Sequence, residues 1–209
     1  MSVEVEIEPA VAGQVFGNQI ELARRYADLL VRDGDMLGLL GPRELPKLWS
    51  RHILNSAVVS DAIHNGDNVA DIGSGAGLPG IPMAIRMPTA HFTLIEPMER
   101  RADWLKQTVK DLALENVTVV RARAEEVAPN QFDVVTSRAL AALPKLLKMA
   151  VPLAKPGGRI VSLKGQKASE EIVEATKLNK KLGIQTSTVR YTGIDLLAEP
   201  TLVVETQLL

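Results

Sequence analysis

Residues 69–82 read Val-Ala-Asp-Ile-Gly-Ser-Gly-Ala-Gly-Leu-Pro-Gly-Ile-Pro, and this stretch decides the fold class. A short apolar run carries Asp71 and leads into three alternating glycines, which are Gly73, Gly75 and Gly77. Glycine has no Cβ and tolerates positive φ, so such a loop turns sharply and lets a ligand lie against backbone. Pro79 suits the first turn of a helix, because its missing N–H would be unpaired there anyway. The stretch therefore predicts a strand, a glycine loop and a helix, which is how open α/β sheets build a nucleotide site.

The composition predicts one globular domain with a modest extension, since 46% of the 209 residues are hydrophobic and 23% are charged. No apolar run reaches the roughly 18 residues of a membrane span, and Met1–Pro9 lacks the pattern of a signal peptide. The chain has no cysteine, which excludes disulfides, thiolate metal sites and a cysteine nucleophile and favours a cytoplasmic location. The net charge is −1, so a polyanionic partner would have to be held by a local basic patch.

Strand and helix patterns alternate along most of the chain. The predicted strands are 69–72, 92–96, 117–121, 132–136, 159–163, 185–191 and 202–207. The predicted helices are 16–32, a second one from about 48 to 64, and then 80–87, 100–114, 143–151 and 167–182. We expect an α/β, Rossmann-like fold with a mainly parallel sheet of about seven strands, the last one antiparallel. Residues 1–64 would form an N-terminal helical extension, packed as one unit with an α/β domain of residues 65–209.

The glycine loop suits two kinds of nucleotide. Gly75 and Gly80 fit the G-x-G-x-x-G of a dinucleotide fold, and Glu96 follows about 20 residues on, where a carboxylate can take both ribose hydroxyls. The fuller pattern, Asp71-x-Gly-x-Gly-x-Gly, is typical of S-adenosylmethionine enzymes, because that ligand carries an ammonium and a sulfonium that favour a nearby carboxylate. Asp71 would instead repel the phosphates of a dinucleotide. We favour S-adenosylmethionine, with a dinucleotide such as NAD, or a loop that only turns the chain, as alternatives.

Two further segments favour S-adenosylmethionine. The third predicted strand is followed by Arg123-Ala124-Glu125-Glu126, where methyltransferases commonly place an acidic residue or an amide beside the adenine amine. The terminal pair of strands, with no helix-length segment between them, is typical of a methyltransferase sheet rather than an all-parallel dinucleotide sheet. A cofactor site at the ends of the first three strands is therefore predicted.

The end of the fourth strand, residues 135–139, should face the transferred methyl group and reads Val-Thr-Ser-Arg-Ala. It lacks the Asn or Asp, two prolines and aromatic residue of enzymes that methylate exocyclic amines. The chain has no cysteine for pyrimidine C5 and no Lys-Asp-Lys-Glu set for ribose 2′-O methylation. What remains is an acceptor that needs no activation, such as guanine N7, whose lone pair is free.

Two basic residues end strands at the predicted site. Arg138 ends the fourth strand, where it could hydrogen-bond guanine O6 and N7 or a phosphate, or could pair with Glu125 or Glu126. Lys164 ends the fifth strand at the same edge and would point into the cleft, unless it is an ordinary exposed lysine.

A polar stripe near the cleft comes from the second predicted helix. Arg51 and His52 lie one turn before Asn55 on a common face, where they could touch substrate RNA, although capping or solvent exposure explains them equally well. Histidine, aspartate and glutamate show no metal-ligand spacing, so no metal is predicted.

Taken together, these motifs resemble the bacterial GidB/RsmG family, over a region from about Phe16 to the C terminus. The segments that carry the resemblance are 51–56, 71–82, 123–126, 137–139 and 163–165. The resemblance implies a class I S-adenosylmethionine-dependent methyltransferase fold. It also implies methylation of guanine N7 in 16S rRNA, near the decoding site, at guanine 527 by family convention.

The resemblance also assigns residues and partners. It places Gly73, Leu78, Ala124, Glu125 and Arg138 where the family binds S-adenosylmethionine. The substrate would be small-subunit rRNA or the 30S particle, bound by a monomer. An RNA-binding assembly factor that keeps the fold is the non-enzyme alternative. Asn55 stands where the family usually has Asp, so a carboxylate role at that position is not essential here.

Overall fold

Seven strands form one sheet in the computed structural model, which describes residues 4–209. The strands are β1 (Asn68–Ile72), β2 (His91–Ile95), β3 (Val117–Val120), β4 (Phe132–Arg138), β5 (Ala154–Leu163), β6 (Ile184–Thr192) and β7 (Thr201–Leu208). Their order across the sheet is β3-β2-β1-β4-β5-β7-β6. Strands β1 to β5 run parallel, and β7 lies antiparallel between β5 and β6. The predicted α/β class, the seven strands and the antiparallel last strand are confirmed.

Both faces of the central strands are covered. Val69, Val134 and Val161 belong to a hydrophobic cluster that includes the N-terminal helices, whereas Ala70 and Val135 belong to a second cluster on the opposite face. Parallel strands buried on both faces need apolar side chains at every position. For that reason they appear in the sequence as continuous apolar runs rather than as alternating ones.

The helices pack on the two faces of this sheet. They are α1 (Ala12–Phe16), α2 (Ile20–Asp33), α3 (Asn55–Ala57), α4 (Gly80–Arg86), α5 (Glu99–Asp111), α6 (Leu143–Ala150), α7 (Ala168–Ala175) and α8 (Asn179–Leu182). As predicted, α4 begins directly after the glycine loop, with Pro79 as the residue before its first turn. Among residues 4–209, no helix has the length and apolar character that a membrane crossing requires.

The second N-terminal helix was predicted as one continuous helix, and this is wrong. The structure has a 3₁₀ segment (Pro42–Lys47), a π-helix (Leu48–Leu54), α3 and a second 3₁₀ segment (Val58–Ala62). The apolar pairs Leu48/Ile53 and Trp49/Leu54 are five residues apart, which suits the i→i+5 bonds of a π-helix. Glu6 Oε2 accepts hydrogen bonds from the backbone N–H groups of Trp49 (2.8 Å) and Ser50 (3.0 Å), which completes the start of the π-helix. Nothing in apolar spacing alone reveals this contact.

The last predicted helix is also divided, because the 3₁₀ segment Thr176–Leu178 separates α7 from α8. One hydrophobic cluster includes Tyr26 and Leu48 from the N-terminal part together with Leu94 and Val134 from the sheet. The division at residues 64 and 65 stays a prediction. The first three residues of the predicted N-terminal extension lie outside the described part of the chain. They also begin the segment Met1–Pro9, which was predicted not to be a signal peptide.

Candidate active site

The predicted site residues meet at the carboxyl edge of the sheet. Asp71 lies near the end of β1, Glu96 follows β2, and Arg138 ends β4. Because these strands are parallel, their carboxyl ends share one edge. Strand β7 is antiparallel, so its first residue, Thr201, also lies at this edge. The topology thus brings together residues that are far apart in the sequence.

Asp71 is a fully buried carboxyl group. Its Oδ2 accepts a hydrogen bond from the backbone N–H of Gly80 (3.1 Å) at the start of α4, and its Oδ1 has no hydrogen-bond partner among residues 4–209. Burial, with a smaller contribution from the nearby Glu96, raises the pKa of Asp71 to about 7, against the hydrogen bonds from Gly80 and Ser74 that lower it. A buried carboxyl with a spare oxygen is a group that a nearby cation would stabilise as the carboxylate.

Glu96 holds the glycine loop from the second strand. It is 3% exposed. Its Oε2 accepts a hydrogen bond from the backbone N–H of Gly75 (2.9 Å), and its Oε1 accepts one from Met98 (2.9 Å). Glu96 therefore both fixes the loop and presents a buried carboxylate beside it.

The three glycines of the loop all have positive φ, but they face different surroundings. A Cβ added to Gly73 would lie 2.6 Å from Leu140 Cδ1, and one added to Gly77 would lie 2.4 Å from Ile81 Cδ1. A Cβ on Gly75 would meet only the carbonyl oxygen of Gly73, at 3.8 Å. Gly75 is therefore the glycine that leaves open space on the face of the loop, as a cradle for a ligand requires.

The remaining predicted cofactor residues lie beside these groups in the chain. Leu78, at the end of the glycine loop, is buried. Ala124 is buried and Glu125 is exposed in a short turn after β3. Glu126 closes this turn by accepting a hydrogen bond from the backbone N–H of Arg123 at 2.8 Å. The side chain of Glu125 thus stays available at the edge.

Arg138 is held by the π-helix and α3 rather than by a carboxylate. Its Nη1 donates to the carbonyl oxygen of His52 (3.2 Å) and to Ser56 Oγ (3.0 Å), and its Nη2 contacts His52 Nδ1 (2.9 Å). Within the described chain it forms no ion pair, so the alternative of a pair with Glu125 or Glu126 is not what the structure contains. Burial, with the charge of Arg51 added, lowers the pKa of Arg138. All three partners of this guanidinium are neutral acceptors.

These contacts leave one side of the guanidinium available. A guanidinium has five N–H groups, and the observed bonds use both on Nη1 and one on Nη2. In a guanidinium the Nε–H and one Nη2–H share an edge, and no described residue accepts from the Nε–H or from the second Nη2–H. Such a fork suits bidentate binding of a phosphate or a carboxylate.

His52 links this arginine to a carboxylate. Its Nε2 lies 2.8 Å from Glu44 Oε2, and its Nδ1 faces Arg138. Burial lowers the pKa of His52, and Arg138 lowers it further, against the hydrogen bond to Glu44 that raises it. The hydrogen bond from His52 in turn lowers the pKa of Glu44, against burial. The sequence placed Arg51 and His52 near the cleft; the structure adds that Arg51 lies 3.6 Å from the same Glu44 carboxylate.

Lys164 reaches the predicted edge but is already engaged. Its Nζ donates to the carbonyl oxygen of Ala141 (2.7 Å) and to Glu171 Oε2 (2.8 Å), and only 8% of its side chain is exposed. Burial opposes ionisation of Glu171, but the hydrogen bonds from Lys164 and from the Leu143 N–H outweigh it and lower the pKa of Glu171. Lys164 is therefore not an ordinary exposed lysine, and it ties β5 to the loop after β4.

A cavity of about 1160 Å³ opens beside these residues at the carboxyl edge. It is lined by Arg51, Arg138 and Lys164, whereas His52 and the glycine loop do not line it. Leu140 lines the cavity and also lies against Gly73, so its side chain borders both the cavity and the loop. The edge therefore has two compartments, a glycine cradle and a basic cavity.

Several residues of the site were not predicted from the sequence. Ser56 belongs to segment 51–56, which carries the family resemblance, but no function was predicted for it. Tyr26 was predicted only as one of the apolar residues on the buried face of the first helix. The Tyr26 hydroxyl donates to the carbonyl oxygen of Ala76 (2.7 Å) and so ties α2 to the glycine loop. Glu44 and Leu140 belong to no pattern that could have marked them. Across the described residues, no group of three or more His, Cys, Asp or Glu is arranged to hold a metal.

Comparison with known proteins gives a family match over most of the chain. The model described as "GidB: rRNA small subunit methyltransferase G" matches residues 19–196. A protein of Arthrobacter sp. named "Ribosomal RNA small subunit methyltransferase G" is 52% identical, over 94% of this chain and 92% of its own. The protein of the same name from Pseudarthrobacter chlorophenolicus is 49% identical, with the same coverage of 94% and 92%.

Solved structures share the fold at low sequence identity. TYW2 of M. jannaschii, in complex with AdoMet, aligns with a TM-score of 0.60 and 21% identity over 76% of each chain. A SAM-dependent methyltransferase from Aquifex aeolicus aligns with a TM-score of 0.56 and 19% identity, over 80% of this chain and 98% of its own. These likenesses support the class I methyltransferase fold that the topology shows.

Proposed function

This chain belongs to the GidB family, rRNA small subunit methyltransferase G, and from that premise we propose that it methylates guanine N7 in 16S rRNA. By the family's convention the target is guanine 527. The observation that carries the proposal is the extent of the match: residues 19–196 include every predicted site residue, from Arg51 to Lys164. The methyl donor in this proposal is S-adenosylmethionine.

The residues present fit this cofactor. Asp71 has a buried, unpartnered oxygen suited to a cationic amino-acid end, Gly75 has an open backbone face, and Glu96 offers a carboxylate for ribose hydroxyls. We assign the adenine end to Leu78, Ala124 and Glu125. When bound, S-adenosylmethionine supplies an electrophilic methyl group on a sulfonium. A dinucleotide would bring phosphates close to Asp71, so the geometry favours the sulfonium ligand.

Guanine N7 suits the basic cavity. Its lone pair is free, so no proton has to leave, and the protein needs to orient the base and exclude water. Arg138 presents two unused N–H groups, and Arg51 lines the same cavity. Correct alignment of two reactants can lower a barrier by roughly 7–11 kcal/mol without an acid or a base.

The partner in this proposal is small-subunit rRNA, either free or within the 30S particle. We further propose that a monomer acts in the cytoplasm. The proposed rRNA substrate supports this location.

A direct test is transfer of labelled methyl from S-adenosylmethionine to unmethylated 30S particles and to free 16S rRNA. Mass analysis of the nucleosides should give 7-methylguanosine from one nuclease fragment.

At saturating substrate, the single-turnover rate should be nearly flat from about pH 6.5 to 8.5, because no proton leaves the acceptor. A methylated amine or ribose, or a rate that rises steeply within this pH range, would contradict the N7 assignment. Tight binding of NAD with no transfer would point to an oxidoreductase, and RNA binding without transfer to an assembly factor.

A further inference from the structure

We propose that Glu44 and His52 are positioning residues that aim Arg138 into the basic cavity, and that protonation of His52 releases Arg138 and stops methyl transfer. The proposal rests on the proposed function for its activity readout only. Its structural part concerns a chain of three side chains, a carboxylate, an imidazole and a guanidinium, that runs from the 3₁₀ segment before the π-helix to the end of β4.

The contacts fix the tautomer of His52. A guanidinium can only donate, so the Nδ1 that faces Arg138 Nη2 at 2.9 Å must accept. The ring proton therefore sits on Nε2, where it is donated to Glu44 Oε2 at 2.8 Å. Glu44 thus selects the tautomer that can hold Arg138, in the way that second partners orient a histidine elsewhere.

This arrangement determines which N–H groups of Arg138, a residue that lines the cavity, are left without a partner among the described residues. The His52 carbonyl oxygen accepts a hydrogen bond from Nη1, and His52 Nδ1 accepts one from Nη2. Ser56 Oγ accepts the second hydrogen bond that Nη1 donates. The side formed by Nε–H and Nη2–H is left for a ligand. Without the imidazole acceptor, the guanidinium could rotate about its long side chain and lose this orientation.

Protonation of His52 would reverse the interaction. An imidazolium donates from both nitrogens, so Nδ1–H would oppose Arg138 and the two positive charges would repel. The charged and titratable groups that face this pair are Glu44, Arg51 and Tyr26. Glu44 favours the imidazolium, whereas Arg138, Arg51 and burial disfavour it. The neutral imidazole therefore persists at neutral pH and is lost only at acid pH.

The first experiment is NMR titration of the imidazoles in the protein without added ligand, which requires no activity. The chain has three histidines, so His52→Asn assigns the resonance. We expect ¹⁵N shifts of the Nε2–H tautomer. Removing the favourable charge in Glu44→Gln should lower the pKa of His52, and removing the opposing charge in Arg138→Gln should raise it. A proton on Nδ1, or no shift in either variant, would overturn the proposal.

The second experiment measures single-turnover methyl transfer at saturating S-adenosylmethionine between about pH 5 and 8. Wild type should lose rate toward the acid end of this range as His52 is protonated. His52→Leu should lose about a hundredfold in kcat/KM for RNA at neutral pH, because Arg138 is misplaced. His52→Asn keeps an acceptor where Nδ1 was, so it should recover much of this loss and show no acid decline.

The control is His91→Asn, an exposed histidine at the start of β2 and away from the cavity, which should keep the wild-type rate and acid decline. Affinity for S-adenosylhomocysteine, measured by calorimetry, should change little in the His52 variants, which separates positioning from loss of the fold. An acid decline that persists in His52→Asn would exclude this role. If wild type transfers no methyl group, the proposed function fails. The NMR titration still tests the contacts that link Glu44, His52 and Arg138.

Discussion

At the scale of single residues, Asp71 illustrates a conflict between folding and ligand binding. Its carboxyl is fully buried, and burial raises its pKa to about 7 from an ordinary value of 3.8. In the unfolded chain the same group would ionise at that ordinary value. Between these two pKa values the folded state binds more protons than the unfolded one, so stability falls as pH rises. The site therefore keeps a group that is unfavourable for stability at neutral pH.

This conflict gives a stability prediction for the protein without ligand. Between pH 5 and 8, the free energy of unfolding of wild type relative to Asp71→Asn should fall by about 3 kcal/mol, at 1.36 kcal/mol per pH unit up to the pKa of Asp71. Urea unfolding at pH 5, 6, 7 and 8 measures this difference. The change should be complete above the pKa of Asp71, because the carboxyl is then ionised in both states.

Asp133→Asn provides the control for this prediction. Burial opposes ionisation of Asp133, but hydrogen bonds from Lys155 and Asn68 outweigh it and lower the pKa of Asp133. That carboxyl is ionised in both states throughout the range, so the offset between Asp133→Asn and wild type should not vary with pH. A constant offset for Asp71→Asn as well would show that its carboxyl is already ionised in the fold.

At the scale of elements, the sequence predicts strands better than the N-terminal helices. A central strand buried on both faces is a short continuous apolar run, whereas the edge strand β6 is mostly polar; all seven predicted strands are present in the structure. The segment that carries His52 depends instead on contacts with distant residues, because Glu6 caps the π-helix and Arg138 binds the His52 carbonyl. Local spacing does not contain those contacts, so the continuous helix predicted there was wrong.

The glycine loop between β1 and α4 allows a matched pair of substitutions. Gly75 and Gly77 both have positive φ (+56° and +84°), so valine strains the backbone at either position. At Gly77 the new side chain would also collide with Ile81, whereas at Gly75 it would enter the open face of the loop. Gly75→Val should therefore abolish binding of S-adenosylhomocysteine, which we expect at about −8 kcal/mol in wild type, while the sheet stays folded. Gly77→Val should cost more stability than Gly75→Val.

Calorimetry with S-adenosylhomocysteine and with NAD, together with urea unfolding of both variants, tests this pair. Wild type should bind NAD far more weakly than S-adenosylhomocysteine. Wild-type affinity in Gly75→Val would show that the ligand does not lie on this face of the loop. NAD binding as tight as that of S-adenosylhomocysteine would overturn the cofactor assignment itself.

At the scale of the whole molecule, the sequence could place the site on one edge but could not give its contacts. Asp71, Glu96 and Arg138 follow from a rule of topology, because parallel strands end together. Which residue holds Arg138 depends on how the N-terminal helices pack on the sheet. A pattern within one segment does not record that packing, so Glu44 had no signal in the sequence.

The charge of the whole molecule gives a final prediction, on RNA affinity. The net charge is −1, so RNA must be held by the few basic residues of the cavity and not by a broad basic surface. Lys164 is almost wholly buried and paired with Glu171, whereas Arg51 stays half-exposed although it lies 3.6 Å from Glu44, so Lys47, Arg51 and Arg138 are the lining basic residues left for phosphates. Three contacts to single-stranded RNA correspond to a slope of log K against log salt of about −2, at about 0.7 per contact.

Lys47→Ala should reduce the magnitude of the slope by about 0.7, whereas Lys181→Ala, an exposed lysine in α8 outside the cavity, should leave it unchanged. Filter binding of a guanine-containing single-stranded 16S rRNA fragment over a series of salt concentrations measures these slopes. Equal effects of the two lysines, or a wild-type slope several times steeper, would mean that RNA binds over a wider surface than the cavity.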